Sequence, residues 1–174
     1  KTLSTLGNSI NKSVISVSKK AIAGSEEVAG AELTITNSEG KSLTEVTRKD
    51  GTSTGITYGS GKITFTSGKD ATELVGLPDG KYTLEEIVSP AGFEKLSSVW
   101  NFEIENGVIK SDSVKSSSAG GEETGNVKAD ETNNRHLIVE DEKSTADITV
   151  SKQDAANSAE LDGAILTVKY TGTD

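Results

Sequence analysis

Cysteine and methionine are absent from the 174 residues, histidine and tryptophan occur once each, and proline occurs twice. Without cysteine there can be no disulfide and no thiolate metal site. The lone histidine, His136, argues against histidine-based zinc sites and against a Ser–His–Asp arrangement, leaving at most a single imidazole base. Aromatics make up 4% and hydrophobics 32%, a lean core that still suffices for a β-sandwich whose strands each bury one face. No run approaches the length of a transmembrane helix, so no membrane insertion is expected in this segment. No charged-then-apolar start resembles a signal peptide, and the missing methionine suggests a mature or excised segment. A net charge of −9 and a pI near 4.7 argue against nucleic acid and anionic membrane surfaces, whose phosphates would repel the chain. The many carboxylates show no EF-hand-like spacing and read as a solvated surface, with no metal site and no cofactor expected.

Short alternating or β-branched runs dominate what is present, separated by Gly, Ser, Asn and Asp. Strands are expected over 13–19, 31–37, 62–66, 81–88, 99–105, 136–141, 147–152 and 164–170. The chain is therefore all-β, with a spacing that suits a sandwich. Residues 111–135 are small, polar and charged, and read as a long surface loop. Residues 1–12 lack a clear period and read as a linker or the tail of a preceding module.

An internal repeat organises the chain. "ISVSKKAIAGSEEVAGAELTIT" from Ile15 aligns without a gap on "ITVSKQDAANSAELDGAILTVK" from Ile148, an offset of 148 − 15 = 133 residues. It superposes Lys19 on Lys152 and Gly30 on Gly163. One module is expected over 13–143, and 146–174 reads as the first two strands of a second, incomplete one. Two strands bury too little to fold as an independent sandwich.

Three strands share an oddity. Ile15 and Val17 lie on one face with Lys19, Tyr82 and Leu84 with Glu86, and Leu137 and Val139 with Asp141. Each face begins apolar, as if bound for a core, and then carries an ionisable group. A strand end where the alternation reaches water would explain any one of them. A buried salt bridge is a second explanation, and weak support for stability. The third is a reactive cluster. Burial in an apolar surround disfavours charged forms, and a neutral amine is a nucleophile while a protonated carboxyl carbon is an electrophile. A second carboxyl can move protons between them. The product would be a side-chain amide, formed once per molecule with loss of water, with proximity supplied by the fold.

The segments "VSKKAIAGSEEVAGAELTIT", "GLPDGKYTLEEIVSPAGFE" and "HLIVEDEK", in that order, resemble the collagen-adhesin B-type (Cna B-type) domains of Gram-positive surface proteins and pilins. The middle segment is the most specific, with a Gly-Leu-Pro turn, a Tyr-Thr-Leu strand ending in Glu, and Pro-x-Gly-aromatic. The last resembles the strand of the streptococcal fibronectin-binding protein domain that was split into a reactive tag and its catcher. The resemblance implies a prealbumin-like or reverse-immunoglobulin β-sandwich. It implies Lys19 as linking lysine, Glu86 as proton relay and Asp141 as electrophile, with Lys152 as the second module's lysine. An Asp electrophile matches the subgroup that loses water rather than ammonia. Two features depart from the pattern, the length of 111–135 and Glu140 where an apolar residue is commoner.

The implied role is a stalk or spacer of a cell-wall-anchored adhesin or pilin, extracellular, with neighbouring modules of the same protein as partners. An alternative is a host-ligand-binding domain for a matrix protein or glycan, using the loops at 111–135 or 51–61. These loops are poor in aromatics and lack evident hot spots. An enzyme is disfavoured, since the clustered ionisable groups are those the bond would consume.

Overall fold

The computed structural model describes residues 13–118, 123–145 and 149–169. The segment 1–12, expected to be a linker or the tail of a preceding module, lies outside them. Residues up to Ser144 form one unit and those from Thr145 a second.

In the first unit, short strands with one apolar face stack into two sheets. One sheet has the order β11-β12-β1-β6-β3, built from β1 (Val14–Ala21), β3 (Thr47–Arg48), β6 (Thr72–Val75), β11 (Asn126–Ala129) and β12 (His136–Asp141). The other runs β10-β8-β7-β2-β5-β4, from β2 (Glu32–Asn37), β4 (Ile56–Gly59), β5 (Lys62–Thr66), β7 (Gly80–Val88), β8 (Trp100–Glu105) and β10 (Lys115–Ser116). A short β9 (Val108–Ile109) pairs with β8. Between the sheets lie Ile15, Val17, Leu33, Ile35, Phe65, Leu74, Leu84, Phe102, Leu137 and Val139, all buried. This is the all-β sandwich read from the strand pattern.

One pairing decides where the site forms. The first and last strands of the unit, β1 and β12, run parallel at the centre of their sheet, with Val17 opposite Leu137 and Ala21 opposite Asp141. Their inward faces carry the apolar Ile15, Val17, Leu137 and Val139, while the outward faces are mostly polar. In the facing sheet, β7 pairs with β2 in regular register until Leu33 meets Glu86. There the register shifts, and Glu32 pairs with Val88. This bulge turns Ile87 and Val88 outward and marks the end of the inward face at Glu86.

Residues 111–135 differ from the loop expected. Ser111–Ser113 form a 3-10 turn, Lys115–Ser116 extend the second sheet, and Asn126–Ala129 form the edge strand β11 beside β12. The edge of β12 offers unpaired backbone groups, and even a polar segment with one buried residue, Val127, satisfies them.

The second unit forms no strand among its described residues, so 149–152 and 164–169 are not strands, and the remaining ends of the strands expected over 147–152 and 164–170 lie outside the described residues. Two strands with no partner sheet have nothing to bury, and Val150, Leu161, Ile165, Leu166 and Val168 are exposed. Its turn nevertheless repeats that of the first unit. The bridge Lys20↔Glu27 recurs as Gln153↔Glu160. The hydrogen bond from Val28 N to Lys19 O (2.7 Å) recurs from Leu161 N to Lys152 O (2.8 Å). Gly30 and Gly163 both adopt positive φ. All three correspondences fall at the sequence offset of 133. Lys152 itself is exposed. No helix among the described residues is long and apolar enough to cross a membrane.

Candidate functional site

Alternation along β1 sends Ile15, Val17 and Lys19 into the interior, and along β12 it sends Leu137, Val139 and Asp141 to the same side. In parallel register Asp141 lies two positions beyond Val139, the partner of Lys19, so the long lysine stem reaches forward to meet it. From the opposite sheet, β7 brings Glu86 to the same point. The three residues singled out from sequence therefore converge. Their side chains have 0% exposure.

Lys19 Nζ lies 2.5 Å from Asp141 Oδ1 and 3.6 Å from Glu86 Oε1. The closer approach is not a hydrogen bond. Lys19 Nζ, both Asp141 carboxyl oxygens and Glu86 Oε1 all lack a hydrogen-bond partner. The distance is shorter than the roughly 2.7–2.9 Å of an N⁺–H···O⁻ bond. Nitrogen and oxygen of one amide lie about 2.2–2.3 Å apart, from its bond lengths and a trigonal carbon. The contact falls between these two.

Electrostatics follow from the dry surround. Desolvation pushes the Glu86 carboxyl up from 4.5 to about 7, opposed by the Leu96 N–H and the Lys19 charge and reinforced by Asp141. Desolvation also raises the Asp141 carboxyl, against the pull of Lys19. Glu86 Oε2 accepts the backbone N–H of Leu96 at 2.8 Å. Both carboxyls are thus held toward their acid forms beside an amine.

The neighbouring lysine and carboxylates do other things. Lys20 points out and donates to the Ser25 carbonyl at 2.8 Å. Glu140, where an apolar residue was the commoner expectation, faces the outer side and accepts from Lys128 Nζ at 2.8 Å. Glu85 is exposed.

A second polar cluster was not anticipated. Ser18 Oγ donates to Glu27 Oε1 (2.6 Å) and lies 2.7 Å from His136 Nε2, whose Nδ1 lies 2.9 Å from Asp130 Oδ2. The single histidine argued against a Ser–His–Asp arrangement, yet β1 and β12 create one across 118 residues. It is not laid out for hydrolysis. Ser18 is 1% exposed beneath Glu27 and His136, so its oxygen faces no space for a substrate. The Thr132 hydroxyl and N–H, with His136, hold Asp130 well below the usual carboxylate range. The cluster pins the start of β12 to β1. Sequence signalled it only through Ser18 and His136 both facing away from the core.

No curated relative matches the chain. Among solved structures, it is similar to the pilus-presented adhesin Cpa, at 25% identity and a TM-score of 0.42 over 57% of this chain and 19% of that one. It is similar to a C-terminal fragment of the pilus adhesin SpaC from Lactobacillus rhamnosus GG, at 15% identity and a TM-score of 0.45 over 80% of this chain and 47% of that one. It is also similar to the pilus adhesin RrgA from Streptococcus pneumoniae, at 21% identity and a TM-score of 0.45 over 78% of this chain and 15% of that one. The chain thus spans less than half the length of each. The profile of the SpaA prealbumin-like fold domain matches residues 13–118, well over half of the chain, and agrees with the two-sheet architecture: the chain belongs to the SpaA prealbumin-like domain family.

Proposed function

We propose that this chain is a structural stalk or spacer module of a cell-wall-anchored Gram-positive adhesin or pilin, held by an isopeptide bond that Lys19 and Asp141 form between themselves with Glu86 as proton relay. The observation that carries the reading is the fully buried trio, with Lys19 Nζ 2.5 Å from Asp141 Oδ1 and no hydrogen bond between them. As a permanent ion cluster this would be poor design, because several buried polar atoms go unsatisfied. As the ground state of a condensation it is a reasonable one.

The neutral Lys19 amine attacks Cγ of the protonated Asp141 carboxyl, and a C–N bond forms. Glu86, starting as the acid, delivers its proton to the departing hydroxyl and then takes one from the nitrogen. The C–O bond breaks, one water leaves, and Glu86 ends in its starting protonation state. No cofactor or oxidant enters the balance. The product is a neutral amide in place of two ionisable groups, which removes the cost of burying them. Each molecule reacts once, so this is maturation and not enzymatic turnover.

The bond joins the first and last strands of the unit, β1 and β12, so tension applied through the chain passes across it and bypasses the intervening fold. Residues 13–143 would then be one load-bearing module, with 146–174 opening the next around Lys152 and 1–12 leading in. Its partners would be neighbouring modules of the same protein, at the cell surface. The repeated turn at Lys152–Leu161 supports this serial arrangement. Tandem mass spectrometry of a proteolytic digest tests the bond. A branched peptide joining the Lys19 and Asp141 segments is expected, and two unlinked peptides would reject it.

A further inference from the structure

The connection between β7 and β8 crosses directly over the trio, and its fastenings are unusually specific for a loop. Glu94 N donates to the Glu142 carbonyl at 2.9 Å and Ser144 N to the Gly92 carbonyl at 2.9 Å, flanking the Phe93↔Lys143 bridge. Further along, Thr124 N donates to Ser97 Oγ at 3.0 Å and Thr124 Oγ1 to the Lys95 carbonyl at 2.7 Å. Within the second clasp, between Lys95 and Ser97, Leu96 is turned inward, 4% exposed. Its N–H reaches Glu86 Oε2.

Gly125 locks the second clasp. It has φ +79, and a Cβ there would stand 2.5 Å from Leu96 Cδ2, 2.5 Å from the Glu140 carbonyl and 3.5 Å from Asp141 Oδ1. Only a bare α-carbon lets the segment press this close over both Leu96 and Asp141.

We propose that residues 94–97, clasped by Thr124 and Gly125, form a strap that positions Glu86 for bond formation, so that crosslinking waits on strap closure. The inference rests on the isopeptide reading above and names what controls it. A carbonyl-type oxygen is a better acceptor than a hydroxyl oxygen, so the Leu96 N–H holds Oε2 as the carbonyl oxygen of the Glu86 acid. The acid proton is then on Oε1, the oxygen that faces Lys19. With the strap open, Glu86 can carry its proton on either oxygen and water reaches the trio. Leu96 acts through Glu86, so it is a positioning residue.

The test replaces one backbone atom. Full-length chain is made by cell-free synthesis with Leu96→leucic acid, which exchanges the N–H for an ester oxygen and keeps the side chain. Loss of one water is followed against time by intact mass after quenching in denaturant, over a pH series. Wild type is expected to lose its water fully, and the ester chain about tenfold more slowly, the equivalent of one hydrogen bond. The alkaline limb of its rate profile is expected at higher pH, because the Leu96 N–H favours the Glu86 anion. Gly125→Ala is expected to slow the reaction by lifting the strap, and to move the limb to lower pH, because the water admitted relieves the desolvation that raises Glu86. An ester chain that crosslinks at the wild-type rate overturns the strap proposal and leaves the bond standing. A slower rate with an unmoved pH limb also overturns it, showing a merely structural loop. If wild type loses no water at any pH, it is the isopeptide reading that fails.

Discussion

Replacing Glu86 by Gln is the sharpest perturbation of the site, because it keeps the shape and an acceptor for the Leu96 N–H while removing the exchangeable proton. The variant is expected to fold with Lys19 and Asp141 still adjacent and unlinked. The stability at stake follows from the loop the bond closes, 141 − 19 = 122 residues. For a crosslink of that span the chain-entropy model gives about 5 kcal/mol at 25 °C. Unfolding entropy near the midpoint is about 2.1 cal/mol/K per residue, so for about 130 residues the melting temperature should fall by about 18 °C. Differential scanning calorimetry of both proteins, each paired with its intact mass, measures the two effects together. The expectation is a wild type one water lighter than its sequence and a Glu86→Gln protein at its full sequence mass, melting far earlier. A Glu86→Gln protein that still lost water would make Glu86 a bystander. One that stayed unlinked yet melted within a few degrees of wild type would refute the loop-closure argument, since unfolded-state entropy would then not be where the bond acts.

Three further expectations follow from the geometry. Lys20→Ala should leave the water loss intact and Lys19→Ala should abolish it, since Lys19 alone points inward; the reverse by mass would mean the β1 register is wrong. The crosslinking rate of freshly made chain should be level at mildly acidic pH and fall as pH rises through about 7, where Glu86 loses its acid proton. The sign follows from proton count, because an ionised and a neutral Lys19–Asp141 pair hold the same number of protons, and only the relay's proton is lost. A rate that rose through this range would contradict the assignment. Ser18→Ala should lower stability by about 1–2 kcal/mol, by removing a buried hydroxyl that links Glu27 to His136, without altering the mass deficit; chemical denaturation with intact mass checks both.

Strands that carry one apolar face were legible in the sequence, and so was the trio, for the same reason. Lys19, Glu86 and Asp141 each continue an apolar alternation where a strand should stay buried, and three such continuations are more informative than one. What escaped were elements whose burial is too small to set a period. Thr72–Val75 buries a single large apolar side chain, Leu74, yet pairs with β1. Asn126–Ala129 buries only Val127 and is a strand because β12 offers it an edge. The Ser18–His136–Asp130 cluster depends on a parallel pairing between the two ends of the unit, which local pattern does not encode. The strap was hidden more deeply, since its donor is a backbone N–H and its key residue, Gly125, matters for the side chain it lacks. In the second unit the turn forms from local hydrogen bonds, while its strands need partners that a pair of segments cannot supply.

The covalent bond is most directly tested by the intact mass of the wild-type chain under denaturing conditions. The account predicts a mass one water below that of the sequence, with the deficit located in a single branched peptide containing Lys19 and Asp141. A chain at its full sequence mass, with both residues recovered on separate linear peptides, would contradict it.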